Sequence, residues 1–419
     1  MTTARPTHPG FSPWLGFCLL LMFAVPALVF YMGQSSSLAL GTTLDSVALL
    51  GFFHLRVHGA KASPLVGRYS VGIVAAVLVS LLWWHLTFAS SLAQIDSGRA
   101  VASLMPLVLM LFAASRGADV LAELSGPKVH AAVRQVFFML VVFAILAIAG
   151  LRIAGANASL KPVFPFVEPS HFALSFTPFL MYICVTTRSW TRLFILAVGL
   201  ACAGILQNLT MAVGCLLVVA VSLRTWVAVT AGALMVVGIV LTQIDLSYFS
   251  DRINFSGDVT NLSTLVYIQG WQLIAEAWHN TGGWGLGFQQ LGQVLTQVSA
   301  AQQIVAVAGG YLNLMDGGFV LAKFVSEFGL MGLIISIVFF YRVFLSFKAL
   351  RRHALNRGEL LPATVLAHCF VMSFLLELVV RGMGYFTPTL LAMLTALLYL
   401  HRQQRLNNRQ FPRNSNVIS

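Results

Sequence analysis

The side chains of this 419-residue chain that could act on a ligand fall into a few short groups. Glu168 and His171 stand three apart in Glu-Pro-Ser-His, with Pro165 just upstream. Lys323 and Glu327 stand four apart, shortly after Asp316, and Glu377 and Arg381 stand four apart just before Gly-Met-Gly-Tyr385. A carboxylate beside several cations suits a reaction in which an anionic group departs. Arginine forks match phosphate oxygens, so Arg252, Lys323 and Arg381 could hold a pyrophosphate. Glu168, held extended by the proline that follows it and free of an i,i+4 partner, could take a proton from an attacking hydroxyl; His171 is the rival base. Each group also has a plainer reading. The two four-apart pairs would neutralise one another along a helix, with Glu377 holding Arg381. Glu168 would cap a helix, and His171 would be a satisfied core histidine.

Other chemistries have no motif here. H-E-x-x-H, a nucleophile elbow, a Walker loop and D-x-D-type paired acids are all missing from the sequence, and no metal ligand set is assigned. Cys18, Cys184, Cys202, Cys215 and Cys369 fall inside apolar runs without paired spacing and read as small core residues. His85, His279 and His368 are isolated and read as structural, and Asp45 is expected to make a buried hydrogen bond. The sequons at Asn157, Asn208 and Asn261 carry little weight in what looks like a bacterial chain.

The elements that must position these groups follow from composition. Hydrophobic residues make up 58% of the chain and charged residues 9%, with a mean hydropathy of +0.86. A soluble domain carries about 25% charged residues, so that class is excluded. About 20 apolar residues span a bilayer. The run from Phe11 to Met32 reads as a retained first span rather than a signal peptide. Further runs lie near 38–55, 70–90, 100–115, 136–154, 171–187, 192–206, 209–223, 226–243, 318–347, 361–381 and 387–401. The expected fold is an all-α polytopic membrane protein, a single integral domain over 1–419 with about twelve spans.

Charge sets the orientation. With a cytoplasmic N-terminus, nineteen Lys and Arg fall on inner segments and six (Arg99, Arg152, Lys161, Arg252, Lys323 and Arg381) on outer ones, together the 25 of the composition. Both termini are then cytoplasmic, with a basic tail over 402–419. The excess charge is spread over short loops, which removes the nucleic-acid reading that a net charge of +12 would otherwise invite.

Two outer loops are long, 152–170 and 242–317, the larger one between the ninth and tenth spans; loops of that length are usually functional. In the larger, Asn261 and Ser263 are N-cap candidates, and Tyr267, Trp271, Ile274 and Trp278 recur at helical spacing. That aromatic stripe suits a helix lying at the membrane interface, where an amphipathic ring is favoured. Leu291, Val294, Leu295, Val298 and Ile304 suggest a second helix. Between them, the glycines of 282–292 could bring backbone N–H groups to a phosphate, or could simply make a tight helix–helix connection.

Several stretches in order resemble one family. Glu168-Pro-Ser-His-Phe-Ala, Asn261-Leu-Ser-Thr-Leu-Val-Tyr-Ile-Gln-Gly-Trp, Gly285-Leu-Gly-Phe-Gln-Gln-Leu-Gly, Phe324-Val-Ser-Glu-Phe-Gly-Leu-Met-Gly and Arg381-Gly-Met-Gly-Tyr-Phe are similar to the Wzy O-antigen polymerases. That group shares a superfamily of GT-C-type membrane glycosyltransferases with the O-antigen ligases. The resemblance covers about 168–388. It implies polymerisation of undecaprenyl-pyrophosphate-linked oligosaccharides at the periplasmic face of the bacterial inner membrane, without metal or other cofactor. A hydroxyl of one unit attacks C1 of another, and undecaprenyl pyrophosphate leaves. Taken with the residue reading above, the expected catalytic groups are Glu168 and His171, and the expected substrate-binding ones are Arg252, Lys323, Arg381, Tyr267, Trp271, Asp316, Glu327 and Tyr385. The implied partners are the lipid-linked units, membrane phospholipid and a Wzz-type chain-length co-polymerase. Many relatives carry a second loop arginine shortly before the Trp271 position; here that stretch is Thr-Leu-Val-Tyr-Ile-Gln-Gly, which leaves Arg381 or Lys323 to supply the charge. The alternatives are a ligase that moves polysaccharide to lipid A core and a lipid-linked saccharide transporter. A transporter would place its polar groups near the midplane in repeated halves, whereas here they gather at one face.

Overall fold

The computed structural model describes residues 13–33, 37–56, 71–79, 81–82, 96–151, 162–230, 232, 247–253, 261–293, 297–356, 358 and 360–410. Thirteen named helices form among them: α1 (Pro13–Met32), α2 (Ala39–Arg56), α3 (Ser97–Glu123), α4 (Gly126–Ile148), α5 (Pro169–Thr186), α6 (Ser189–Ile205), α7 (Leu209–Ser222), α8 (Ser247–Ile253), α9 (Leu262–Thr281), α10 (Ser299–Ala308), α11 (Val320–Asn356), α12 (Pro362–Val379) and α13 (Pro388–Gln410). The described residues contain no strand, only an isolated bridge between Val163 and Phe166. Helix starts follow local chemistry. Asp96 accepts from Arg99 N at the head of α3, and Asn208 accepts from Met211 N at the head of α7. Prolines open α4, α5 and α12, where the missing N–H costs nothing.

The chain is an all-helical protein with the character of a membrane protein. Five helices, α1, α3, α4, α11 and α12, are long and apolar enough to cross a bilayer; α6, α7 and α10 are apolar but shorter. Of the expected spans, the one near 70–90 is described only over 71–79 and 81–82 and the one near 226–243 only over 226–230 and 232, while Arg5, Lys61, Arg68, His85, Arg152, Asn157, Lys161, Val294, Leu295 and Arg413 lie outside the described residues. The tenth expected span ends later than its apolar run suggests. Helix α11 runs on to Asn356, and Gly329, at φ 55° and ψ −131°, breaks it near the start.

Packing sets which ends meet. Helix α5 is buried along nearly its whole length and packs on α7 and α12, while α13 lies against α3 and α12. Phe23, Phe172, Phe179 and Tyr182 are among the fully buried rings. Lipid is as apolar as these side chains, so close packing rather than escape from water holds the bundle. Met331, Ile334, Ile337, Val338 and Tyr341 of α11 face outward, as a lipid-facing surface would. The heads of α5 and α7 meet where Asn208 Nδ2 donates to Pro169 O, and the head of α2 meets the α12–α13 segment where Thr42 Oγ1 donates to Phe386 O. These contacts gather the heads of α2, α5, α7 and α13 at one end of the bundle. The sequence groups described above lie there.

Candidate functional site

The mouth of α5 carries the first group. Glu168 is extended (φ −104°, ψ 132°), as the following proline requires, and sits at the N-cap position. Its Oε2 accepts from Arg381 Nη2 at 3.0 Å and from Ser170 Oγ at 3.1 Å, and lies 3.7 Å from His171 Nε2. Glu168 lies close to a cation and has no i,i+4 partner, as expected, but the distant Arg381 neutralises it; the expected hold of Glu377 on Arg381 is corrected. The reason is where α12 stops: it ends at Val379, Arg381 N turns back to Leu376 O, and the side chain leaves the helix face. Burial alone would raise the Glu168 carboxyl, but the His171 ring, the Arg381 guanidinium and the Ser170 hydroxyl outweigh it and hold it at about 2. So weak a base is better suited to orienting a neighbour than to taking a proton. His171 is buried, with Nε2 unpaired apart from that long approach to Glu168.

The second group lies at the break in α11. Lys323 is 1% exposed, and its Nζ donates to Met315 O, lies 3.3 Å from Glu327 Oε1 and 3.6 Å from Asp316 Oδ1, and stands 5.3 Å from the centre of the Tyr385 ring. The local i,i+4 pairing with Glu327 therefore forms. Glu327 is fully buried and accepts from Gln289 N (2.9 Å), Leu291 N (3.2 Å) and Tyr385 Oη (2.8 Å). Burial, and then the Glu327 carboxylate, keep the Tyr385 phenol protonated far above its ordinary range. The glycine-rich stretch 282–292 thus spends its amides on a carboxylate of the protein itself and on the carbonyls of Ser326 and Glu327, which accept from Leu286 N and Gly287 N. Connection, not a phosphate cradle, is what these glycines make. Gly329 allows that approach, since a Cβ there would stand 2.1 Å from Gly283 O. The same glycines end the expected second helix: Leu291 lies in a turn, Gly292 is left-handed, and α10 begins only at Ser299.

Glu377 points elsewhere. It is 1% exposed, its Oε2 has no hydrogen-bond partner, and it lines a cavity of about 20 Å³ with His171, Ser175, Thr387 and Thr389. That is room for about one water. Asp45 is fully buried and both its oxygens are unpaired, so the hydrogen bond expected for it does not form among the described residues.

The remaining candidates spread out. Arg252 sits on α8, whose carbonyl meets the Thr264 hydroxyl of α9, away from the α5 mouth group in sequence and element. Asn261 caps α9 as expected. Tyr267 and Trp271 pack on Phe319, at ring distances of 5.0 and 5.3 Å, and with Gln272 line an open groove of about 470 Å³. Trp271 keeps 46% of its surface exposed. The α9 helix packs on the start of α11 and the turn before it, where Gly270 lies against Gly317, Phe319 and Ala322. One residue escaped notice in the sequence. Arg99 Nη1 donates to Leu291 O at 3.2 Å, and next to it Asp96 and Gln290 exchange two hydrogen bonds. Its only signal was a lone cation at the outer end of a span.

No family model matches this chain, and no curated protein sequence matches it.

Proposed function

We propose that the chain is a membrane glycosyltransferase that polymerises polyprenyl-pyrophosphate-linked oligosaccharides, as O-antigen polymerases do, at the outer face of a bacterial inner membrane. The observation that carries this reading is the Arg381–Glu168–His171 line at the mouth of α5. Arg381 is 19% exposed, and one nitrogen of its fork is committed to Glu168, which leaves further donors for a second anion. His171 stands beside it as an imidazole with a carboxylate to stabilise its charged form, the arrangement a hydroxyl-activating base uses.

The step balances as a displacement at C1. The acceptor hydroxyl gives its proton to His171, its oxygen bonds to C1 of the donor sugar, and the bond from C1 to the pyrophosphate oxygen breaks. Glu168 carries the countercharge for the imidazolium. Arg381 meets the charge that grows on the departing pyrophosphate, and Arg99 is a second guanidinium within the same end of the bundle. The leaving group is already activated, so positioning and charge stabilisation supply the catalysis. Lys323 has no part in this step, because its ammonium is buried and already shared among Met315, Asp316 and Glu327.

Protein reconstituted in vesicles and given lipid-linked repeat units should yield a ladder of lengths and release polyprenyl pyrophosphate. Transfer of finished chains to lipid A core, with no ladder, would instead assign it to the ligases. Vesicle-to-vesicle movement of unjoined units would make it a transporter.

A further inference from the structure

The end of the bundle opposite the α5 mouth is drawn together by arginines. Arg192, 7% exposed, donates to Thr187 O at the end of α5, to Ser222 O at the end of α7 and to Ala354 O on α11. One turn before Ala354, Arg351 donates to Ala220 O, to Leu223 O (3.0 Å) and to Thr225 Oγ1 (2.9 Å). These carbonyls have no intrahelical partner at a helix end, and a guanidinium fork satisfies several at once. From Pro169 to Thr186, α5 rises about 27 Å, close to the ~30 Å of a bilayer's hydrocarbon. The level marked by Arg192 and Arg351 is therefore one bilayer thickness from Glu168 and Arg381.

At that level a groove of about 670 Å³ opens between the chain after α7 and the end of α11. Arg224, Thr225, Trp226, Val229, Thr230, Arg351 and Leu355 line it, and none of these is acidic. Arg224 is exposed, Trp226 is 66% exposed and Val229 is 66% exposed. The Arg224 guanidinium, with the charge of Arg351 and the donors it does not spend on Ala220, Leu223 and Thr225, matches one phosphodiester. An indole beside them is the side chain that prefers the headgroup level, and Val229 and Leu355 offer an apolar wall to an acyl chain. Arg188 at the head of α6, and Arg352 and Arg405 near the tails of α11 and α13, add cations at this end of the bundle, where Glu123 at the tail of α3 is an exposed carboxylate.

We propose that this groove binds the head group of an anionic phospholipid in the leaflet opposite the Glu168–Arg381 site, with the phosphate between Arg224 and Arg351 and an acyl chain along Trp226 and Val229. Under the charge bias of the loops this is the cytoplasmic leaflet, whose anionic lipids give it a negative surface. The inference needs the helices to cross a bilayer. It does not need glycosyl transfer.

The test uses the full-length protein purified in neutral detergent, with mixed micelles of phosphatidylglycerol or of phosphatidylcholine as probes. A ligand that binds only the folded state raises the melting temperature. Phosphatidylglycerol should raise it by several degrees more than phosphatidylcholine does, and native mass spectrometry should find one phosphatidylglycerol retained. Arg224→Gln, at an exposed position whose side chain makes no hydrogen bond or ion pair among the described residues, should melt like wild type in phosphatidylcholine, lose at least half of the phosphatidylglycerol shift and lose the retained lipid. Trp226→Ala should weaken retention less, because it removes the wall and keeps the charge. Equal shifts from the two lipids would overturn the proposal, as would an undiminished shift in Arg224→Gln. Inorganic phosphate producing the full shift at the same concentration would also overturn it, since the site would then bind any anion.

Discussion

Two groups of charge lie a few residues apart at one end of this molecule, and they have opposite fates. Around Lys323, the central charges have found partners inside the protein: Glu327 receives two backbone N–H groups, a phenol and an ammonium, and Lys323 and Glu327 are sealed from solvent, with only Asp316 at the edge 21% exposed. Around Arg381, the carboxylate is 28% exposed, the guanidinium 19%, and a neighbouring imidazole nitrogen is unpaired. A buried charge without partners is so costly that the first group must be complete for the chain to fold. The second tolerates incompleteness because water reaches its carboxylate and guanidinium, although the His171 nitrogen itself is buried. Unspent hydrogen-bonding capacity at an accessible site is what a ligand can use, so the α5 mouth reads as the place of chemistry and the α11 break as its mounting.

The comparison predicts different losses from similar substitutions. Glu327→Ala should be the most damaging change in the region. It strands the Lys323 ammonium and two backbone donors, and removing one partner of a buried pair costs about 3–5 kcal/mol. Loss of folded protein in detergent extracts, or a melting temperature far below wild type, checks this. A Glu327→Ala protein as stable as wild type would mean that the α11 group is no more structural than the α5 mouth.

Gly329→Ala comes next. The left-handed backbone and a contact of 2.1 Å between the new Cβ and Gly283 O leave nothing to relax without moving the glycine-rich stretch. A loss of about 2–3 kcal/mol is expected, within the range of strained backbone substitutions. Proteolysis between 282 and 292 should increase along with it, because that stretch is held by the α11 break.

Much of this contrast was legible in the residues and part was not. Apolar runs foretell the helices because a helix satisfies its own backbone in lipid whatever surrounds it. Lys323 with Glu327 was legible because four residues on one helix are neighbours by geometry alone. The pairing of Glu168 with Arg381 joins positions 213 apart, and that of Arg99 with Leu291 joins positions 192 apart. Nothing local announces such contacts. Spacing misled at Glu377 and Arg381, since four-apart proximity holds only while the helix continues, and α12 stops between them. At 282–292 the spacing left two readings, and the contacts with Glu327 and Ser326 follow the plainer one, a tight connection.

Arg381→Lys should separate activity from stability. The Arg381–Glu168 pair is partly exposed, and such pairs contribute about 0–1 kcal/mol, so melting should barely change. Turnover of lipid-linked units should fall about 10²-fold or more, the scale for losing one preorganised donor to a developing anion. Full ladders from Arg381→Lys would remove the α5 mouth from the chemistry and erase the distinction drawn here.

The smallest effect concerns protons at Glu168. Its carboxyl is held at about 2, below an ordinary value of 4.5. A group depressed on folding adds stability that is fully present above the unfolded value and is lost as pH falls through the folded one. The acid-labile window for Glu168 therefore runs from about 4.5 down to about 2. Glu168→Gln removes that titrating carboxyl, so its melting temperature should lie below wild type near neutrality and fall less steeply with acid across that window, the two curves converging toward pH 2. Buried and fully bonded Glu327 gives no comparable handle, because its replacement unfolds the protein first. The same Glu168→Gln protein also tests the division of labour with His171. If Glu168 only orients and balances the imidazole, Glu168→Gln should retain measurable polymerisation while His171→Gln has none. A dead Glu168→Gln beside an active His171→Gln would return the proton-taking role to the carboxylate, despite the low value at which its neighbours hold it.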